Sequence, residues 1–118
     1  MNTLVIGAST NPERYSNKAI ERLREHNIPT FAFGLKSGRV SDVEIDTELI
    51  AYSDIDTVTL YVNPKNQKEY YDYIISLKPR RVIFNPGTEN PEFIDLLKSK
   101  NIFTEISCTL VLLGTGQY

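Results

Sequence analysis

Thr3-Leu4-Val5-Ile6-Gly7-Ala8-Ser9-Thr10-Asn11-Pro12-Glu13-Arg14-Tyr15-Ser16 decides the fold. Thr3 to Ile6 reads as a strand buried on both faces, and Gly7 ends it. From Ser16 to His26, Ala19, Ile20 and Leu23 return on one helical face, with Lys18, Glu21, Arg22, Arg24 and Glu25 spread over the rest. Asn27 is a left-handed stop for that helix, and Thr30 to Gly34 forms the next strand. A strand, a glycine-led loop, an amphipathic helix and a second strand make one unit of an α/β sheet.

The rest of the chain repeats the pattern. Leu35 to Ile55 holds a Lys36-Ser37-Gly38-Arg39 turn and then Val43, Ile45, Thr47 and Leu49 in alternation, read as one short strand followed by a single helical turn. Thr57 to Val62 is a β-branched and aromatic strand. Asn63 caps the next helix and Pro64 suits its first position, where no N–H is needed. Tyr70, Tyr73, Ile74 and Leu77 then form a buried stripe, with Tyr71 expected to point away from it into solvent, and Pro79 ends the helix. Arg81 to Asn85 is a strand, Asn90-Pro91 opens a helix with Phe93, Ile94 and Leu97 inward, and Asn101 closes it. Ile102 to Ile106 is the last strand. Cys108 to Leu113 reads as a short terminal helix or apolar coil before a Gly114-Thr115-Gly116 tail expected to fray. Right-handed crossovers place these helices on both faces of a mostly parallel sheet, a Rossmann-like, doubly wound α/β fold. Residues 1–118 are expected to form a single domain.

Composition narrows the chemistry. The 118 residues are 41% hydrophobic and 24% charged, with 13 Lys plus Arg against 15 Asp plus Glu and a net charge of −2. That balance gives no reason to expect nucleic acid or an anionic membrane as partner. One His and one Cys exclude an internal disulfide framework, Cys₄ or Cys₂His₂ zinc sites and clusters held by several cysteines. The opening residues lack the basic region of a signal peptide, and no apolar run approaches the roughly 20 residues of a membrane span, so the cytoplasm is the expected compartment.

In such a sheet ligands bind beyond the carboxyl ends of the strands, near the point where strand order reverses. Four of the six prolines lie in Asn-Pro pairs that follow strand ends: Asn11-Pro12, Asn63-Pro64, Asn85-Pro86 and Asn90-Pro91. Capping alone accounts for Asn90-Pro91; the other three can also border a ligand crevice. In the first loop, Gly7 lets backbone approach a ligand, and N–H groups near a helix start suit an anion. Ala8, Asn11 and Tyr15 belong to the same loop, where Ser9, Thr10, Arg14 and Ser16 supply donors to phosphate oxygens. A dinucleotide fingerprint would need glycines where Ser9 and Pro12 stand, and no carboxylate follows the second strand to hold ribose hydroxyls. Lys36 stands there instead. It suits a phosphate on the ribose, which favours coenzyme A or NADP over NAD.

Gly7-Ala8-Ser9 with Asn11-Pro12, Arg14 and Ser16 resembles the opening motif of small CoA-binding domain proteins. These are stand-alone relatives of the CoA-binding Rossmann domain of succinyl-CoA synthetase alpha subunits and ADP-forming acyl-CoA synthetases. The likeness extends over nearly the whole chain through Lys36, Tyr61-Val62-Asn63-Pro64, Asn85-Pro86-Gly87 and Cys108. Phe33-Gly34-Leu35 stands where the family usually has Val-Asn-Pro, and Phe84-Asn85 where it has Trp-Gln. The resemblance implies that Gly7, Ala8, Ser9, Arg14 and Ser16 hold the pyrophosphate, that Lys36 meets the ribose phosphate, and that Val62, Asn63 and Pro64 flank the adenosine. Asn85 and Gly87 would border the pantetheine arm.

The larger relatives carry a phosphorylated histidine on a following domain. Here His26 falls at the end of the first helix, away from the ligand edge, and is expected to be a surface or cap residue. Cys108 is expected near the ligand edge as a buried, inert thiol, with a mixed disulfide to CoA as the alternative. The expectation is non-catalytic, regulatory binding of coenzyme A or an acyl-CoA, with an NADP-binding reductase as the competing reading.

Overall fold

The computed structural model describes residues 2–118. In chain order the elements are β1 (Asn2–Ile6), α1 (Tyr15–Glu25), β2 (Thr30–Phe33), β3 (Gly38–Val40), β4 (Val43–Asp46), β5 (Ile55–Leu60), α2 (Pro64–Gln67), α3 (Tyr71–Ser76), β6 (Arg81–Phe84), α4 (Pro91–Ser99), β7 (Phe103–Ile106) and α5 (Thr109–Gly114). A 3₁₀ turn, Lys68–Tyr70, joins α2 to α3. The described residues form one seven-stranded sheet in the order β3-β4-β2-β1-β5-β6-β7. Every neighbouring pair is parallel except β3 with β4. The doubly wound α/β architecture is as the sequence predicts. The order runs outward in both directions from β1, so the switch point lies at its carboxyl end.

Strand alternation divides the core between two faces. Leu4 and Ile6 of β1, with Val58, Leu60, Val82 and Phe84, pack under Tyr70, Tyr71, Ile74, Phe93 and Leu97. Val5 and Ala32 turn the other way, toward Ile20 and Leu23 of α1 and Leu113 of α5. On that second face Thr57, Thr59 and Arg81 are also buried. Thr59 shares a 2.8 Å hydrogen bond with Thr109, and Arg81 donates through Nε to Thr57 and through Nη1 to Glu105, each at 3.2 Å, while its buried Nη2 has no hydrogen-bond partner among the described residues.

Four expectations need correction. The stretch after Lys36 is a β-hairpin of β3 and β4, not a strand and a helical turn. Val40, Val43 and Ile45 are buried on one side of it, and Ser41 takes a left-handed φ of 55° at its tip. Second, the helix after Asn63 is broken by the 3₁₀ turn. Each 3₁₀ residue advances about 120° where an α-helical one advances about 100°, so the later residues are rotated relative to a continuous stripe. Third, Tyr71 is buried, on the same helical face as Ile74 three residues on. Its ring stacks on Phe93 at 4.1 Å, and its hydroxyl accepts from Asn90 and donates to Glu92. Fourth, the tail does not fray: the N–H groups of Gln117 and Tyr118 donate to the Leu112 carbonyl, and the Arg81 guanidinium lies 4.5 Å from the centre of the Tyr118 ring. No helix among the described residues is long and apolar enough to cross a membrane.

Candidate functional site

A cavity of about 890 Å³ opens at the carboxyl ends of β1, β2 and β5, within the size range of small-molecule sites. The first loop forms one wall through Gly7, Ala8, Ser9, Thr10, Arg14, Tyr15 and Ser16. Lys36 enters from the segment between β2 and β3. Val62 and Asn63 come from the turn between β5 and α2. Ten of the residues singled out in the sequence are thus brought together. Asn11, Pro64, Asn85 and Gly87 do not line the cavity.

Each of these positions has a local cause. Gly7 has φ +95°, and a Cβ on it would stand 2.8 Å from the Tyr61 carbonyl oxygen, so only glycine lets β1 turn beside β5. The N–H groups of Gly7 and Ala8 both donate to the Phe33 carbonyl, which ties the loop's start to β2. Further along, Asn17 Nδ2 donates to the Ser9 carbonyl at 2.9 Å. The Asn11 carboxamide oxygen accepts from the Glu13 N–H at 3.0 Å, closing a turn. Asn11 therefore shapes the loop from outside. Ser9 Oγ accepts from the Asn11 N–H at 3.1 Å, leaving the hydroxyl proton free to donate into the cavity. At the loop tip, Gly38 of β3 packs so closely on Thr10 that an added Cβ would lie 2.4 Å from its Cγ2.

The electrostatics favour an anion at this wall. Helix α1 has Arg14 at its N-cap position, no side-chain cap and no acidic residue in its first turn, so the positive end of its dipole is left uncompensated. Arg14 and Lys36 make no ion pair among the described residues. The other described arginines are committed elsewhere: Arg22 to Glu25, Arg24 to Asp42, Arg39 to Glu44, Arg80 to Asp56 and Arg81 to Glu105.

Further residues border the cavity that the sequence reading did not select. Phe33 and Tyr70 meet edge-on at 5.5 Å and give it an aromatic wall. Tyr61 lines it too; its hydroxyl is buried with no hydrogen-bond partner among the described residues, and burial raises its pKa. Gly34 and Leu35, beside Lys36, were within reach of a sequence argument, and Leu35 is 85% exposed at the rim. Glu13, Asn66 and Glu69 complete the lining. Asn66 and Glu69 follow Asn63 at intervals of three, and that spacing is the signal that could have found them.

Asn85 has a different task. It is 1% exposed; its Nδ2 donates to Thr59 Oγ1 and to the Leu60 carbonyl, and its Oδ1 accepts from the Thr109 N–H. It joins β5, β6 and the start of α5. Gly87 has φ +91° in open space on the loop leading to α4. Cys108 stands at the N-cap position of α5; its free thiol is half-buried and does not line the cavity. His26 ends α1 on the far side, exposed, with Nδ1 2.8 Å from the Arg22 carbonyl.

Comparison with solved structures places this architecture among known proteins. An uncharacterized protein is 46% identical, with a TM-score of 0.97 over 99% of this chain and 97% of its own. A hypothetical protein from Pyrococcus horikoshii OT3 is 25% identical, with a TM-score of 0.83 over 92% of this chain and 78% of its own. The cell-free ID.343 protein from Thermus thermophilus shares the fold at 18% identity, with a TM-score of 0.87 over 99% of this chain and 90% of its own. No curated protein matches the chain. The family model described as "CoA binding domain" matches residues 1–114. With that match spanning both the phosphate-suited loop and every strand of the sheet, the chain belongs to the CoA binding domain family.

Proposed function

We propose that this protein binds coenzyme A or an acyl-CoA without transforming it, and that occupancy of the cavity serves a regulatory end. The observation that carries the reading is that Arg14 and Lys36, which make no ion pair among the described residues, line one cavity with the uncapped start of α1. Gly7, Ala8, Ser9, Arg14 and Ser16 hold the pyrophosphate, with Thr10 and Tyr15 at the mouth. Lys36 takes the ribose phosphate. Val62 and Asn63 flank the adenosine, and Pro64 sets the start of α2 behind them. The pantetheine arm leaves past the rim toward Gly87, while Asn85 acts from beneath as a structural support. His26 lies on the opposite edge and the Cys108 thiol does not line the cavity, which supports binding over group transfer. The nicotinamide alternative gains nothing from the family match, which is to a CoA domain.

A thermal-shift series with CoA, acetyl-CoA, NADP, NAD and ADP tests this. A ligand at 100 times its dissociation constant stabilises by about 2.7 kcal/mol, a rise on the order of 10 °C for a domain of this size. CoA and acetyl-CoA are expected to give it. A response to NADP without one to CoA would overturn the proposal.

A further inference from the structure

The cavity has two unlike walls. Arg14 and Lys36 line the first, with the Glu13 carboxylate beside Arg14, whereas Asn63, Asn66 and Glu69 line the second, one every three residues. The 3₁₀ turn begins at Lys68. Residues three apart eclipse in a 3₁₀ helix, so the tighter turn keeps Glu69 nearer the line of Asn66 than an unbroken α-helix would. The second and third members of this row, Asn66 and Glu69, neither cap a helix nor form an ion pair among the described residues. The Asn66 side chain makes no hydrogen bond among the described residues, and Glu69 makes no ion pair there, whereas Asn63 caps α2 by accepting from the Asn66 N–H at 3.0 Å. Tyr70 follows Glu69 immediately. Its phenol is held above its ordinary pKa by burial first and by the neighbouring Glu69 carboxylate second, as a carboxylate turned toward the cavity's aromatic wall would produce.

A carboxylate in a cavity built for a polyphosphate opposes binding unless it meets a hydrogen-bond donor on the ligand. Resting on the reading that the cavity takes CoA, we propose that Glu69 and Asn66 select the adenine base. Glu69 accepts from the exocyclic amine, and the Asn66 amide donates to an adjacent ring nitrogen. Val62 and the Tyr70–Phe33 pair beside them offer apolar surface to a planar ring, which suits a base better than a sugar or an amide chain. The site then rejects a base carrying an oxo group at that position, because two acceptors would face each other.

The test is equilibrium binding of CoA and of its deaminated analogue, which has an oxo group in place of the amine and identical phosphates. The probes are titrated into the wild type, Glu69→Ala and Glu69→Gln. The wild type is expected to prefer CoA by about tenfold or more, the worth of one hydrogen bond to a charged group. Glu69→Ala loses that preference and binds CoA more weakly. Glu69→Gln, whose carbonyl still accepts, keeps part of it. Equal affinity of the wild type for both probes, an unchanged preference in Glu69→Ala, or tighter CoA binding by Glu69→Ala would each overturn the assignment while leaving the CoA reading intact. Tighter binding is the outcome expected if Glu69 only repels phosphate. Failure of the wild type to bind either probe would instead remove the CoA reading and this inference together.

Discussion

Gly7 concentrates several demands in one residue. Its φ of +95° and the 2.8 Å approach of any Cβ to the Tyr61 carbonyl oxygen make Gly7→Ala strained on two counts. A left-handed backbone alone costs an ordinary residue about 1–2 kcal/mol, and the clash adds to it. The variant is expected to melt roughly 8 °C or more below the wild type in a calorimetric scan, with CoA affinity reduced because the first loop is displaced. An unchanged melting temperature would show that the β1–β5 junction is looser than described. That Gly7, Ser9 and Arg14 border the cavity was legible in the sequence because a loop after the first strand of a doubly wound sheet has one place to go, and Lys36 was legible because it follows the second strand at the same edge. Asn85 was legible as a residue of the same edge but not in its role. Its side chain turns inward to Thr59, Leu60 and Thr109, and those partners lie about 25 residues away from it in either direction.

At the scale of elements, that Asn85 junction is what seats α5 against the sheet. Asn85→Ala leaves the Thr109 N–H and the Leu60 carbonyl without their buried partner, a loss of about 2–4 kcal/mol. Urea unfolding is expected to show that loss in the midpoint, while the affinity for CoA stays within about twofold of wild type because Asn85 does not line the cavity. A large loss of affinity with stability intact would return Asn85 to the binding surface. The helix after Asn63 shows what pattern reading misses. Tyr70, Tyr73, Ile74 and Leu77 fit a continuous α-helix, and nothing in that spacing reports the 3₁₀ turn at Lys68–Tyr70. Tyr71, beside the expected stripe, packs against Phe93, and Glu69 in the 3₁₀ turn lines the cavity. The β3–β4 hairpin escaped for a different reason. Gly38–Val40 is only three residues long, and its Gly38-Arg39 start looks like the turn that precedes it.

Across the whole molecule the two edges of the sheet divide the labour. The carboxyl edge carries the cavity, and the amino edge carries ion pairs that fasten the strands. Asp56, near the start of β5, accepts from Arg80 through both carboxylate oxygens at 2.9 and 3.0 Å. The hydrogen bond to Arg80 is the main cause that holds its carboxyl below the ordinary value of 3.8. A lowered folded-state pKa contributes stability above the unfolded value, and that stability is lost as pH falls through the lowered one. Below about pH 4 the wild type is therefore expected to lose stability more steeply than Asp56→Asn, as read from melting temperature against pH. Parallel acid limbs for the two proteins would count against the Asp56–Arg80 contribution. CoA binding is placed on the cavity and on Arg14 and Lys36, which make no ion pair among the described residues. Its most direct test is a calorimetric titration of CoA into the wild type and into the Arg14→Ala/Lys36→Ala double variant. The wild type is predicted to bind one CoA per chain, and the double variant, equally stable before ligand is added, to bind at least about 100-fold more weakly. Equal affinity in the two proteins, or no binding by the wild type, would contradict the account.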